Sequence, residues 1–166
     1  NPPFDLANVV AGFNFDRVLP TGKTKDMAVI GYGASELEDY LEAELEKQGR
    51  YINPDPNPEK GYFYRSDHIS FAKKGVPVLY SDDGFDLEIG GIEKGFNEIY
   101  DYTNNRYHGV DDEYDASWNL EGFEQTINTL FNISFELSNS NDWPNWYEGN
   151  EFRSLRDAQL LTKKTP

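Results

Sequence analysis

Ser66-Asp67-His68-Ile69-Ser70-Phe71-Ala72-Lys73-Lys74-Gly75-Val76-Pro77-Val78-Leu79-Tyr80 is the stretch whose reading decides the fold. Its first ten residues predict a short helix, with Ser66 as N-cap, lysines in the last turn, where the helix dipole favours cations, and Gly75 as terminator. Asp67 and His68 fall in the first turn. The apolar run from Val76 to Tyr80 follows at once as a strand, its proline near the start, where losing one ladder hydrogen bond is tolerable. Helix followed directly by strand predicts an α/β architecture.

Upstream, residues 9–15 read as a strand that ends in Asp16. A carboxylate at the C-terminal end of a buried strand is where open α/β sheets place ligand-binding groups, although a turn-forming aspartate fits the same spacing. Pro20 and Gly22 make a turn, and residues 27–32 read as a second short buried strand. Residues 35–48 predict a helix: Ser35 and Glu38 form a capping box, Gly49 stands at C′, and Leu37, Leu41 and Leu45 form one apolar stripe. Glu36, Glu42, Glu44 and Glu46 are expected to face solvent. The proline-rich run at 53–58 predicts an exposed, stiff loop that could rim a pocket or merely connect.

Downstream, Asp82-Asp83-Gly84 reads as a turn in preference to a cation-binding pair. Asn119 can cap a helix reaching Leu137, with Phe123, Ile127, Leu130, Phe131 and Leu137 as its core face. The tail carries Trp143, Trp146 and Tyr147, expected to pack over the domain edge, and then a short helix at 151–161. No internal repeat and no low-complexity linker interrupts the chain, so residues 1–166 read as one unit.

Composition narrows the function classes. With 30 acidic against 15 basic residues, the net charge of −15 repels phosphate backbones and anionic lipid headgroups, so neither nucleic acid nor a membrane surface is an expected partner. The 11 Phe, 11 Tyr and 3 Trp argue for a packed core instead of disorder. No apolar run approaches the roughly 20 residues that span a bilayer, and the N-terminus lacks the basic and apolar segments of a signal peptide. With no cysteine, any metal must be held by His, Asp and Glu.

One of the two histidines lies in Tyr107-His108-Gly109-Val110-Asp111-Asp112-Glu113-Tyr114. A neutral imidazole there can ligate a metal, with nearby carboxylates fixing its tautomer, or it can be a solvated loop side chain.

The ordered set Asn14-Phe15-Asp16, Ser66 through Pro77, and Tyr107-His108 with Asp111-Asp112 resembles the zinc aminopeptidases of metallopeptidase family twenty-eight. That family includes glutamate carboxypeptidases and is similar to glutaminyl cyclases. The likeness takes in Asp115-Ala116-Ser117-Trp118 and Trp143-Pro144, and so nearly the whole chain. It implies a three-layer sandwich, with a mixed, mostly parallel sheet flanked by helices and two zinc ions at the C-terminal strand ends.

By that resemblance Asp16 and His108 are metal ligands, and Tyr107 and Asp67 are catalytic, the tyrosine donating to the oxyanion and the aspartate joining the hydrogen-bond network. His68 and Tyr64 are the expected substrate contacts. The expected partners are a peptide substrate and either the first half of the catalytic domain or a second copy paired along an open sheet edge. A periplasmic or secreted location is the expectation. The family's His-x-Asp and Glu-Glu segments, which supply the other ligands and the general base, have no counterpart before Asp16. The chain is thus expected to be the C-terminal part of a catalytic domain with an incomplete sheet. Two further readings stand beside it: a non-catalytic binding domain of the same fold, and an acyltransferase of the glutaminyl cyclase type.

Overall fold

A computed structural model describes residues 4–17 and 19–162, and the opening Asn1-Pro2-Pro3 lies outside them. Four strands, β1 (Gly12–Asn14), β2 (Asp26–Val29), β3 (Tyr51–Pro54) and β4 (Val78–Asp83), form one sheet in the order β1-β4-β2-β3. β1 runs parallel to β4 and β3 parallel to β2, while β2 and β4 are antiparallel, with Met27 opposite Asp83. The sheet is mixed and mostly parallel, as expected of an α/β fold.

The helices are α1 (Leu37–Lys47), α2 (Ile69–Ala72), α3 (Gly91–Asp101), α4 (Glu121–Ser138) and α5 (Arg153–Thr162). Because side chains alternate along a strand, β4 feeds two cores. Leu79 joins Met27 and Val29 beneath the α1 leucines and Leu130, Ile133 and Leu137 of α4. Val78 and Tyr80 face the other way, against Phe63, Ala72, Trp146 and Phe152.

Leu37, Leu41 and Leu45 are fully buried, and Gly49 takes the left-handed φ of 69° that ends the helix. Only half of the capping box forms. Glu38 accepts the N–H groups of Gly33 (2.8 Å), Ala34 (2.7 Å) and Ser35 (3.3 Å), whereas the buried Ser35 hydroxyl has no hydrogen-bond partner among the described residues. The tail aromatic Trp146 is fully buried instead of lying over an edge, its indole N–H donating to the Gly75 carbonyl at 3.1 Å.

Several elements differ from the sequence reading. The loop expected at 53–58 begins as β3, because Pro54 sits on the outermost strand, where a missing N–H costs no ladder bond. The expected 82–84 turn is the end of β4, and both aspartates are buried. Glu44 does not face solvent; it is buried and accepts from Gln48 (2.8 Å) and Asn132 (2.7 Å). The helix expected at 66–75 keeps only one turn, α2. On α4, Ile127 and Phe131 are exposed, while Thr126, Thr129, Leu130, Ile133 and Leu137 are buried. Buried charge turns this helix. The Thr126 hydroxyl donates to Asp83 Oδ1 at 2.7 Å, and the Arg50 guanidinium donates to Thr129 Oγ1 at 3.2 Å.

Two outcomes test this packing. Leu41→Ala should lower the unfolding free energy by about 3 kcal/mol through lost burial and a residual cavity, measured by urea denaturation, whereas Phe131→Ala on the exposed side should cost far less. Burial pushes the Asp83 carboxyl up to about 6, against the opposing bonds from Thr126 and Leu19. A raised carboxyl favours the folded state below the ordinary value near 3.8 and loses that contribution as pH rises through about 6. Asp83→Asn should therefore flatten the fall in urea midpoint between those pH values. An unchanged slope would show that Asp83 does not titrate there.

Candidate active site

A cleft of ≈ 570 Å³ opens where the C-terminal end of β1 meets that of β4. Its wall carries Asp16, Tyr80 and Asp82 from the sheet, Phe96 and Ile99 from α3, and Tyr102, Thr103 and Tyr107 from the segment after α3. The segment that follows α3, Tyr102–Arg106, is a wider π-type turn that delivers Tyr107 to this wall.

Asp16 is held by neutral donors. Asn14 Nδ2 donates to Oδ1 at 3.0 Å, the Tyr80 hydroxyl to Oδ2 at 2.9 Å, and the Ser66 hydroxyl also to Oδ2. Ser66 therefore does not cap a helix as its sequence context suggests; its hydroxyl also accepts from Asn14 at 3.0 Å and ties the α2 segment to the end of β1. Burial, Asp82 and Asp16 push the Tyr80 phenol well above its usual range, so it remains a donor to the carboxylate. Burial likewise raises the Asp82 carboxyl, opposed by Arg17, whose guanidinium lies 3.4 Å away. In sequence Tyr80 reads only as part of an apolar strand, and Asp82 as part of an acidic turn before Gly84, because a tyrosine in an apolar run and an Asp-Asp-Gly sequence both look structural. Position at a strand's C-terminal end was the available signal.

The other candidates scatter. Tyr107, half exposed, shares the cleft with Asp16. His108 is not among the lining residues; it stacks on Tyr107 at 3.8 Å between centroids, with a left-handed φ of 58° and its N–H donating to Asp112 Oδ2 at 3.1 Å. Asp67 is exposed, and no side-chain hydrogen bond among the described residues uses its carboxylate. Tyr64 lines an adjoining cavity of ≈ 300 Å³, which shares Asp55 and Tyr62 with the cleft, and donates to Glu151 Oε1 at 2.8 Å. His68 lies in the core, 4% exposed, between the rings of Phe63 (4.6 Å) and Tyr80 (4.9 Å).

A catalytic zinc takes three protein ligands and an open position. Among the described residues no group of three His, Cys, Asp or Glu side chains could hold a metal ion. Asp16 and His108 alone do not meet that requirement, so the chain by itself does not fit a two-zinc centre.

Among the described residues neither ring nitrogen of His68 makes a hydrogen bond of normal geometry, and burial pushes its pKa below the ordinary value, with Asp16 and the Phe63 backbone opposing. With only two histidines in the chain, ring-proton NMR should resolve it, and His68→Gln identifies its signal. At pH 6.5 the His68 ring should be more than half neutral; half-protonation at or above that pH would contradict the burial.

The described residues contain no helix long and apolar enough to cross a membrane. No curated protein and no solved structure matches the chain. A family model does match: that of peptidase family M28, over residues 1–133. The mixed α/β sheet agrees with that family, and the match covers most of the chain's length. The chain belongs to peptidase family M28, whose members are generally zinc-dependent peptidases.

Proposed function

We propose that this chain is part of a zinc-dependent aminopeptidase, contributing one carboxylate, Asp16, and one imidazole, His108, to a centre completed by ligands from outside the chain. The observation that carries this reading is the shared cleft of Asp16 and Tyr107, residues 91 positions apart in sequence (107 − 16). Zinc, when held by a complete ligand set, polarises a carbonyl and activates water. What this chain's own residues do is more limited. Asp16 presents a pre-positioned carboxylate, since Asn14, Ser66 and Tyr80 fix its orientation without neutralising it. The Tyr107 hydroxyl, which no hydrogen bond among the described residues uses, can donate to a carbonyl oxygen that gains charge.

The place for the remaining ligands is beside β1. That strand pairs only with β4 among the described strands, and an outer strand can pair with another segment or a second copy of the chain. Export, periplasmic or secreted, belongs to this same proposal.

A non-catalytic binding domain is the second reading, favoured by the absence of a three-ligand group among the described residues. Calorimetric titration of the 166-residue chain with zinc, run beside an aminoacyl-nitroanilide assay, separates the possibilities. The chain alone should bind zinc weakly and turn over no substrate, because loss of a general base alone costs about 10²- to 10⁴-fold. Asp16→Ala and His108→Ala should each weaken that zinc binding further. Binding indifferent to both changes would remove the ligand assignment. Two tight zinc sites with turnover would place the other ligands within this chain. A longer chain that joins this sequence to the missing ligands should be active, and inactivity there favours the binding domain.

A further inference from the structure

Three cations line the cleft, and only one has a carboxylate partner. Arg17 is paired with Asp82, whereas neither Lys60 nor Arg65 forms an ion pair among the described residues. That is unusual placement in a chain with twice as many acidic as basic residues. Two short 3-10 turns, Pro58–Lys60 and Tyr62–Tyr64, meet at Gly61, whose left-handed φ of 63° reverses the chain between them. The reversal sets both cations against one ring: Lys60 Nζ lies 5.9 Å and the Arg65 guanidinium 5.7 Å from the Tyr62 centroid. Arg65 also donates to the Lys60 carbonyl at 3.4 Å, which ties the two residues together. Contact with the ring face offsets part of their mutual repulsion and holds them at the wall. The carboxylates sharing the cleft are otherwise engaged. Asp16 takes the three donors described above, Asp82 takes Arg17, and Asp55 Oδ1 accepts the Asn57 N–H at 2.8 Å.

We propose that Lys60 and Arg65, gathered on the Tyr62 ring, form an anion subsite that receives a carboxylate of a short peptide bound in the cleft. The carboxylate comes either from an acidic side chain or from the peptide's own C-terminus. This deepens the peptidase reading and rests on it, since a free carboxylate beside the site is offered by small or acidic peptides and not by an arbitrary protein. Arg65 supplies the planar fork that suits a carboxylate, and Lys60 adds a compact charge.

The experiment uses the 166-residue chain without zinc or turnover, so its failure is separate from failure of the peptidase reading. Four probes are titrated while backbone amide NMR shifts are followed: glycyl-glutamate, glycyl-glutamate amidated at its C-terminus, glycyl-glutamine, and glycyl-glutamine amidated at its C-terminus. Glycyl-glutamate and at least one of the two probes with a single carboxylate should bind about tenfold more tightly than the last, which has none, with the largest shifts at Tyr62 and Arg65 and a preference that weakens with salt. The two single-carboxylate probes assign the source: tighter binding of the amidated glutamate means the side chain, and of glycyl-glutamine the C-terminus. Lys60→Met with Arg65→Met should abolish the preference while leaving the spectrum of the folded chain intact, since both residues are exposed, and Arg65→Lys should retain part of it. Equal affinity for all four probes, no binding of any, or a preference that survives the double substitution overturns the proposal.

Discussion

Strand β4 is buried along its whole length, and this constraint governs the rest of the molecule. Its first half satisfies the condition with Val78, Leu79 and Tyr80, which serve the two opposite cores. Its last two residues are aspartates, and buried carboxylates are costly unless hydrogen-bonded or paired. The surrounding chain meets that demand piece by piece. Asp83 accepts the Thr126 hydroxyl at 2.7 Å and the Leu19 N–H at 2.7 Å, and Asp82 takes Arg17. The segment after β1 and the first turns of α4 are therefore both anchored to the end of β4. A neighbouring polar seam works in the same way. The fully buried Asp26 accepts the Phe85 and Asp86 N–H groups at 3.2 and 2.8 Å and Asn53 at 2.7 Å, joining β2, β3 and the exit of β4.

The same anchoring makes the cleft. Because β1 and β4 are parallel neighbours, Asp16 just beyond β1 and Tyr80 within β4 approach closely enough to share a hydrogen bond, although they are 64 positions apart. Ser66 joins them from the turn before α2, so three separate segments converge on one carboxylate. None of its donors carries a charge. Asp16 consequently keeps its capacity to attract a cation, while Arg17 is diverted to Asp82 and the other two cleft cations rest on Tyr62.

Much of this was legible in local sequence. The α1 leucine stripe, the glycine terminator at Gly49, the helix-to-strand passage from Ser66 to Tyr80 and the ordered Asn-Phe-Asp, Ser-Asp-His and Tyr-His segments depend on near neighbours, and periodicity or motif order reveals them. The elements that were misread have non-local causes. β3 forms only because β2 offers it an edge to pair with. α4 turns two threonines inward because a strand and an arginine distant in sequence carry charges that need hydroxyl partners. Ser66 looks like a cap and serves Asp16 instead, because the donor geometry is set by β1.

Sequence by itself determined the α/β class, the family and the residues able to bear chemistry, since these reside in hydrophobic period and in the order of short motifs. Tertiary structure alone decided which of those residues meet. Asp16 and Tyr107 share a cleft, while His68 sinks between two aromatic rings and Tyr64 turns to another cavity. The physical reason is that a side chain's neighbours across the sheet are fixed by strand order and register, which pairwise burial and hydrogen bonding select from the whole chain at once.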